Sequence, residues 1–224
     1  MTVIAQNLAR VWKKIEAAAK RSGRGREEVT LVAVTKKVGV DRIREAIAAG
    51  VTDIGENYVQ EAQEKWIELR EAARWHFIGH LQRNKAKAAV EFFDMIHSVD
   101  SIALATEIGR RARALDKRVD VLIEVNVAGE AAKFGAPPDE TLDFAGEVAE
   151  VDGIRLRGLM GMAPFVDDPE LTRPYFSLLR RLFDKLPPEN RIYLSMGMTQ
   201  DFEVAIEEGA TMVRIGTAIF GLRT

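Results

Sequence analysis

The chain has 224 residues, 47% hydrophobic and 29% charged, enough for one large domain or two small ones around a full core. Its 32 Lys+Arg against 34 Asp+Glu leave a net charge of −2 with no dense basic block, which argues against nucleic acid as a partner, because binding a phosphate backbone needs a concentrated positive face. The absence of cysteine excludes disulfides, thiolate metal sites and cysteine nucleophiles and fits a reducing cytoplasm, and no uncharged apolar run approaches the ~20 residues of a membrane span.

Residues 1–22 lack the basic start and continuous apolar stretch of a signal peptide. Ile4, Leu8, Val11, Trp12, Ile15 and Ala19 recur there at helical spacing and predict an amphipathic helix ending near Ser22 and Gly23. Short β-rich and helical segments then alternate: strand 29–35, helix 41–49 closed by Gly50, strand 52–55, helix 58–73, strand 75–78, helix 85–92, strand 95–98 and helix 102–115. The second half continues with strand 120–127, helix 141–151, strand 154–160, helix 171–186 stopped by Pro187 and Pro188, strand 192–195, helix 202–208 closed by Gly209, strand 212–215 and a short helix 218–222.

Strand and helix repeated along a whole chain imply right-handed crossovers and parallel pairing. Eight such units predict an α/β fold, a single (β/α)8 TIM barrel with an extra N-terminal helix, spanning residues 1–224 as one domain. A doubly wound open sheet is the alternative, but Gly23-Arg24-Gly25 lacks the third glycine of a dinucleotide fingerprint and no strand-to-helix turn follows it.

A barrel gathers its chemistry at the C-terminal ends of its strands. The first strand, LVAVTKK, ends on Lys36 and Lys37, and because successive side chains take opposite faces only one of them can point inward. If the last strand closes the barrel beside the first, an inward Arg214 stands close to an inward Lys36, two cations in one pocket. Such a pair is costly unless an anion is present or the lysine is neutral, and a phosphorylated aldehyde supplies both conditions by bringing the anion and consuming the amine as an imine. Donors for the phosphate are expected from Gly216 and Thr217 at the start of the last helix, and from the loop Ser195-Met196-Gly197-Met198-Thr199.

The stretches VAVTKK (32–37), IGENYVQEAQEK (54–65), WHFIGHLQRNK (75–85), IHSVDS (96–101), GLMGMAP (158–164) and LSMGMTQDFEVAIEEGATMVRIGTAIFG (194–221) resemble the pyridoxal-phosphate homeostasis protein family over nearly the whole chain. The resemblance implies a barrel related to the N-terminal domain of alanine racemase, with pyridoxal 5′-phosphate held as a Schiff base on Lys36, Asn57 near the cofactor ring, Arg214 at the pyridine nitrogen, and Ser195, Gly216 and Thr217 on the phosphate. It also implies a cytoplasmic protein of cofactor homeostasis with little or no catalysis, a monomer or weak dimer, whose partners include pyridoxal-phosphate-dependent apo-enzymes. An arginine at the ring nitrogen supports carbanion chemistry weakly, and the chain ends at Thr224, which is read as leaving no room for the second domain that completes a racemase. Many relatives carry a second lysine two positions after the first, where this chain has Val38, while Lys133 matches a lysine common in the family.

The competing readings are a pyridoxal-phosphate-dependent racemase or lyase, and a Schiff-base aldolase that needs no cofactor. Taken alone, Lys36 reads as a strand-end surface lysine and Arg214 as the partner of a core carboxylate such as Glu124. His76 and His80 have a spacing that could ligate a metal on a helix, but they straddle a strand end without an intervening carboxylate, so no metal site is expected, and His80 is expected at the barrel mouth. Glu207 and Glu208 read as a solvated helix end.

Overall fold

Thr2 starts the first helix: its side chain accepts the Ala5 N–H at 3.2 Å, a hydroxyl cap on helix α1 (Val3–Arg21). In the computed structural model, which describes residues 2–130 and 134–221, the buried stripe of α1 (Ile4, Leu8, Val11, Ile15 and Ala18) packs against three later helices, α2 (Val40–Ala48), α8 (Phe202–Glu207) and α9 (Thr217–Phe220). No helix among the described residues is long and apolar enough to cross a membrane.

Eight parallel strands close on themselves in chain order: β1 (Thr30–Val34), β2 (Asp53–Glu56), β3 (Arg74–Phe77), β4 (Met95–Val99), β5 (Val119–Val125), β6 (Ile154–Gly161), β7 (Tyr193–Ser195) and β8 (Met212–Ile215). The remaining crossovers run through α3 (Val59–Leu69), α4 (Ala86–Phe92), α5 (Ile102–Ala114), α6 (Thr141–Ala149) and α7 (Arg173–Phe183). The (β/α)8 barrel with an added N-terminal helix expected from the sequence is therefore the observed fold, and the open-sheet alternative is excluded by the β8–β1 pairing, in which Thr30 lies opposite Met212 and Val32 opposite Arg214.

Burial separates two apolar layers. Leu31, Ala33, Ile54, Trp75, Phe77 and Ile96 face outward into the core beneath the helices, whereas Val32, Met95, Leu122, Met160 and Met212 form a small cluster inside the barrel. This settles the parity of the first strand, because Val32 is interior and the even-numbered residues of β1 follow it.

Element ends depart from expectation where local hydrogen bonding overrides periodicity. Helix 58–73 becomes α3 followed by a tight 3-10 turn at 70–72, and helix 171–186 begins only at Arg173, after a 3-10 turn whose first N–H bonds to the Asp168 carboxylate at 3.0 Å. Strand 120–127 stops at Val125 because Asn126 N–H turns to the Ala136 carbonyl at 2.9 Å. The last helix begins at Thr217, and Leu222, expected within it, lies outside the described residues. Glu207 and Glu208 are ion-paired rather than solvated. Arg21 reaches Glu207 at 2.6 Å, while Arg173 reaches Glu207 at 2.7 Å and Glu208 at 2.9 Å, tying α1 and α7 to α8.

Ile15 is fully buried where α1 seats on the barrel. Ile15→Ala is expected to cost about 2–5 kcal/mol of unfolding free energy, read from the denaturant midpoint at unchanged slope.

Candidate functional site

The C-terminal mouth of the barrel holds a cavity of about 600 Å³, lined among others by Lys36, Arg214, Met198, Thr199, Gly216 and Thr217. Lys36 continues the inward parity of Val32 and Val34 and sits at the corner of a turn closed by Val38 N–H to the Thr35 carbonyl at 2.9 Å. Lys37 takes a left-handed conformation with φ 58° and directs its side chain to solvent. The two lysines thus diverge, as strand alternation requires.

Arg214 enters the same cavity from β8 and is nearly fully buried. Desolvation pushes its guanidinium down from the usual arginine range to about 10, against the charges of Asp201 and Glu124, which favour the cation. At neutral pH it remains charged. It donates through Nη1 to Ser195 Oγ at 2.6 Å and through Nη2 to the Gly161 carbonyl at 3.1 Å.

From Ser195 a chain of buried polar groups crosses the barrel. His97 Nδ1 lies 3.1 Å from Ser195 Oγ, His97 Nε2 3.0 Å from His76 Nδ1, and His76 Nε2 2.9 Å from Asp53 Oδ1. The tautomers follow from the ends. A guanidinium can only donate and an ionised carboxylate can only accept, so Ser195 O–H donates to His97, His97 Nε2–H to His76, and His76 Nε2–H to Asp53. Burial holds both imidazoles below the usual histidine range, His97 well below, so both are neutral. For Asp53 burial acts in the opposite direction, but hydrogen bonds from His76 and Thr52 and the charge of Arg74 bring its carboxyl below the usual range.

The expected site residues divide accordingly. Lys36, Arg214, Gly216 and Thr217 share the cavity. Ser195 does not reach it: its hydroxyl is fully buried and engaged by Arg214 and His97, so it seats the arginine, and the loop contributes Thr199 to the lining instead. Asn57 instead lines a separate cleft with His80 and Gln82, and its Oδ1 is buried without a hydrogen-bond partner. Gly197 is required between these groups. It adopts φ +91°, and a Cβ there would lie 2.5 Å from Ala205 Cβ and 2.9 Å from Phe202 Cα.

His76 pairs with His97 across β3 and β4, while His80 stacks on Phe134 at 3.5 Å between ring centroids. Lys133 lies outside the described residues. Glu124 makes no direct ion pair with Arg214 among the described residues. Burial, reinforced by the charge of Asp100 and opposed by that of Arg214, raises its carboxyl to about 7. His97, Asp53 and Asp201 escaped sequence reasoning. The signal for His97 was its place two residues after inward-facing Met95, at the same parity of β4.

The chain is similar to known proteins over nearly its whole length. The chain matches the family described as alanine racemase, N-terminal domain, over residues 6–224. It is 44% identical to a pyridoxal phosphate homeostasis protein of Aquifex aeolicus, over 97% of each chain. Among solved structures, a protein of unknown function from Bifidobacterium adolescentis is 40% identical with a TM-score of 0.90, covering 97% of this chain and 94% of that one. PipY of Synechococcus elongatus, solved with PLP bound, is 37% identical with a TM-score of 0.82, covering 97% of this chain and 100% of that one.

Glu124 yields a pH-dependent prediction. Its folded-state pKa lies above the 4.5 of the free side chain, so the native state keeps a proton that the unfolded state has lost, and its contribution declines as pH rises from about 4.5 to about 7. Glu124→Gln, which mimics the protonated form, is expected to remove that part of the decline, making the variant more stable than the wild type at pH 8 relative to pH 5 in urea titrations.

Proposed function

Because this chain belongs to the pyridoxal phosphate homeostasis protein family, within the alanine racemase N-terminal domain fold, we propose that it binds pyridoxal 5′-phosphate at the barrel mouth and serves intracellular cofactor supply. The observation that carries this reading is the convergence of Lys36 and Arg214, from the two strands that close the barrel, on one cavity edged by Thr199, Gly216 and Thr217.

The residues fit the group. Pyridoxal phosphate brings an aldehyde, a phosphate dianion and a pyridine nitrogen, and the cavity offers an amine, hydroxyls and backbone amides, and a fixed cation. The Ile219 and Phe220 amides of α9 donate back to the Gly216 carbonyl at 2.9 Å, which leaves the Thr217 and Ala218 amides at the helix start, beside the Thr217 side chain at the cavity wall. Asn57 is not among the residues lining that cavity, and its buried Oδ1, which has no hydrogen-bond partner, is assigned to the ring side in this reading on the family resemblance.

Lys36 presents its amine to the aldehyde and Arg214 presents N–H donors to the ring nitrogen. A guanidinium titrating near 10 keeps its proton at pH 7, so it holds the nitrogen as an acceptor and does not protonate it. Gly216 and Thr217 hold the phosphate, and Ser195 acts behind Arg214. A ring nitrogen without a proton is a poor electron sink, which suits a protein that carries the cofactor and passes it to apo-enzymes with little or no turnover of its own. The working compartment in this reading is the cytoplasm.

The test is an absorbance spectrum of the purified protein before and after borohydride, with the modified peptide located by mass spectrometry. Wild type is expected to show a yellow, reducible species labelled at Lys36, and Lys36→Ala none. A Lys36→Ala variant that keeps the colour would overturn the assignment, and a colourless wild type that resists loading would favour the cofactor-free aldolase. Racemisation of alanine at ordinary enzyme rates, lost with Lys36, would replace the carrier reading by the racemase one. Thr217→Val is expected to weaken cofactor retention by about tenfold, the loss of one hydrogen bond to a charged group, measured by equilibrium dialysis.

A further inference from the structure

Directly behind the Lys36 turn lies a buried cluster of charge that the binding site does not use. Lys65 on α3 is almost completely enclosed, and its ammonium donates to three acceptors: the Thr35 carbonyl at 2.7 Å, Glu56 Oε1 at 2.6 Å and Glu61 Oε1 at 2.6 Å. Glu56, at the end of β2, has no exposed surface and also accepts the Thr35 hydroxyl at 2.7 Å. Glu61 also accepts the backbone N–H of Lys37. Thr35, immediately before Lys36, is thus tied to Lys65 and Glu56, and Lys37, immediately after it, to Glu61, which Lys65 joins to Glu56, while Lys36 lines the cavity.

A buried ion triad is a poor way to stabilise a fold, since the cost of removing charges from water commonly matches or exceeds their mutual attraction. The cost is visible at Glu56, whose carboxyl is pushed up by burial despite Lys65 and whose Oε2 has no partner. Lys37, in addition, holds a left-handed conformation that a side-chain-bearing residue adopts at a cost of about 1–2 kcal/mol. A strained residue persists only where its surroundings over-determine it, and here the bond from Lys37 N–H to Glu61 and the turn bond from Val38 to Thr35 do so.

We propose that Glu56, Glu61 and Lys65 are positioning residues that lock the Thr35–Val38 turn and so aim the Lys36 amine into the cavity. The proposal rests on the reading of Lys36 as the cofactor-binding amine. Its consequence is specific: without the clamp the phosphate and ring contacts survive, but capture of the aldehyde fails, because the nucleophile is no longer held at its place of attack.

The experiment compares wild type with Lys65→Met, Glu61→Ala and Glu61→Gln. Amide hydrogen exchange is measured on the cofactor-free proteins, together with borohydride-trapped incorporation of pyridoxal 5′-phosphate and affinity for pyridoxine 5′-phosphate, which has the phosphate and ring but no aldehyde. For Lys65→Met and Glu61→Ala the expected results are exchange of the Lys37 amide faster by about tenfold, trapping slowed by about tenfold or more, and pyridoxine 5′-phosphate affinity within about threefold of wild type. Glu61→Gln, which keeps an acceptor oxygen, is expected to restore most of both. Unchanged exchange at Lys37 in Glu61→Ala overturns the proposal, as does parallel loss of both ligands. Should Lys65→Met fail to fold, the half-exposed Glu61 pair decides. Wild-type protein that is not labelled at Lys36 defeats the binding reading alone, since the exchange data on cofactor-free protein still decide whether the clamp exists.

Discussion

The interior of this barrel is organised around one buried cation. Arg214 has no carboxylate within direct ion-pairing distance among the described residues, and its charge is instead distributed over a serine hydroxyl, a backbone carbonyl and the more distant fields of Asp201 and Glu124. Through Ser195 it is connected to His97, His76 and finally Asp53, so that every donor in the chain points from the cation toward the anion. That common direction fixes both histidine tautomers and leaves none of the buried side-chain polar atoms of Ser195, His97, His76 and Asp53 without a partner, the condition under which a polar network rigidifies a core rather than weakening it. It also holds the guanidinium by two hydrogen bonds at the wall of the cavity.

The β8–β1 closure converts this interior into a site. Because Val32 lies opposite Arg214 in the register, the inward parity that buries Val32 carries Lys36 out at the mouth, one turn beyond the strand, above the arginine's strand. The helices contribute from outside. Residues from α3 and the end of β2 hold the turn that presents Lys36, while the loop after β7 is brought against α8 closely enough that only glycine fits at position 197. Arg214 with Gly216 and Thr217, Lys36, and Thr199 therefore come from three separate parts of the chain and line one cavity.

Much of this could be read in the sequence, and the parts that could not share a physical cause. Strand and helix alternation survives in the hydrophobic periodicity, so the barrel and the divergence of Lys36 from Lys37 were legible, and closure of the last strand on the first singled out Arg214, with Gly216 and Thr217 at the start of the helix after it. The polar interior was not. His97 in IHSVDS is followed by polar Ser98, as at a strand's exposed end, and only the closed barrel shows that its face is buried. Ser195 was assigned to the phosphate because its loop reaches the mouth, but it is the last residue of β7 and points inward, where Arg214 claims its hydroxyl. The Glu56–Lys65 pair escaped notice because nine positions separate its members across a strand, a loop and a helix. Element ends failed for a local reason: single hydrogen bonds such as Asn126 N–H to Ala136 terminate strands that periodicity would extend.

The account stands most directly on the claim that Arg214 holds the cofactor's ring nitrogen as a hydrogen-bond acceptor while remaining charged itself. Nitrogen-15 magnetic resonance of ring-labelled pyridoxal 5′-phosphate bound to the protein measures that nitrogen's protonation. The account predicts an unprotonated pyridine signal at neutral pH that moves toward the pyridinium position when Arg214 is replaced by Glu. A pyridinium signal in the wild-type protein would contradict it.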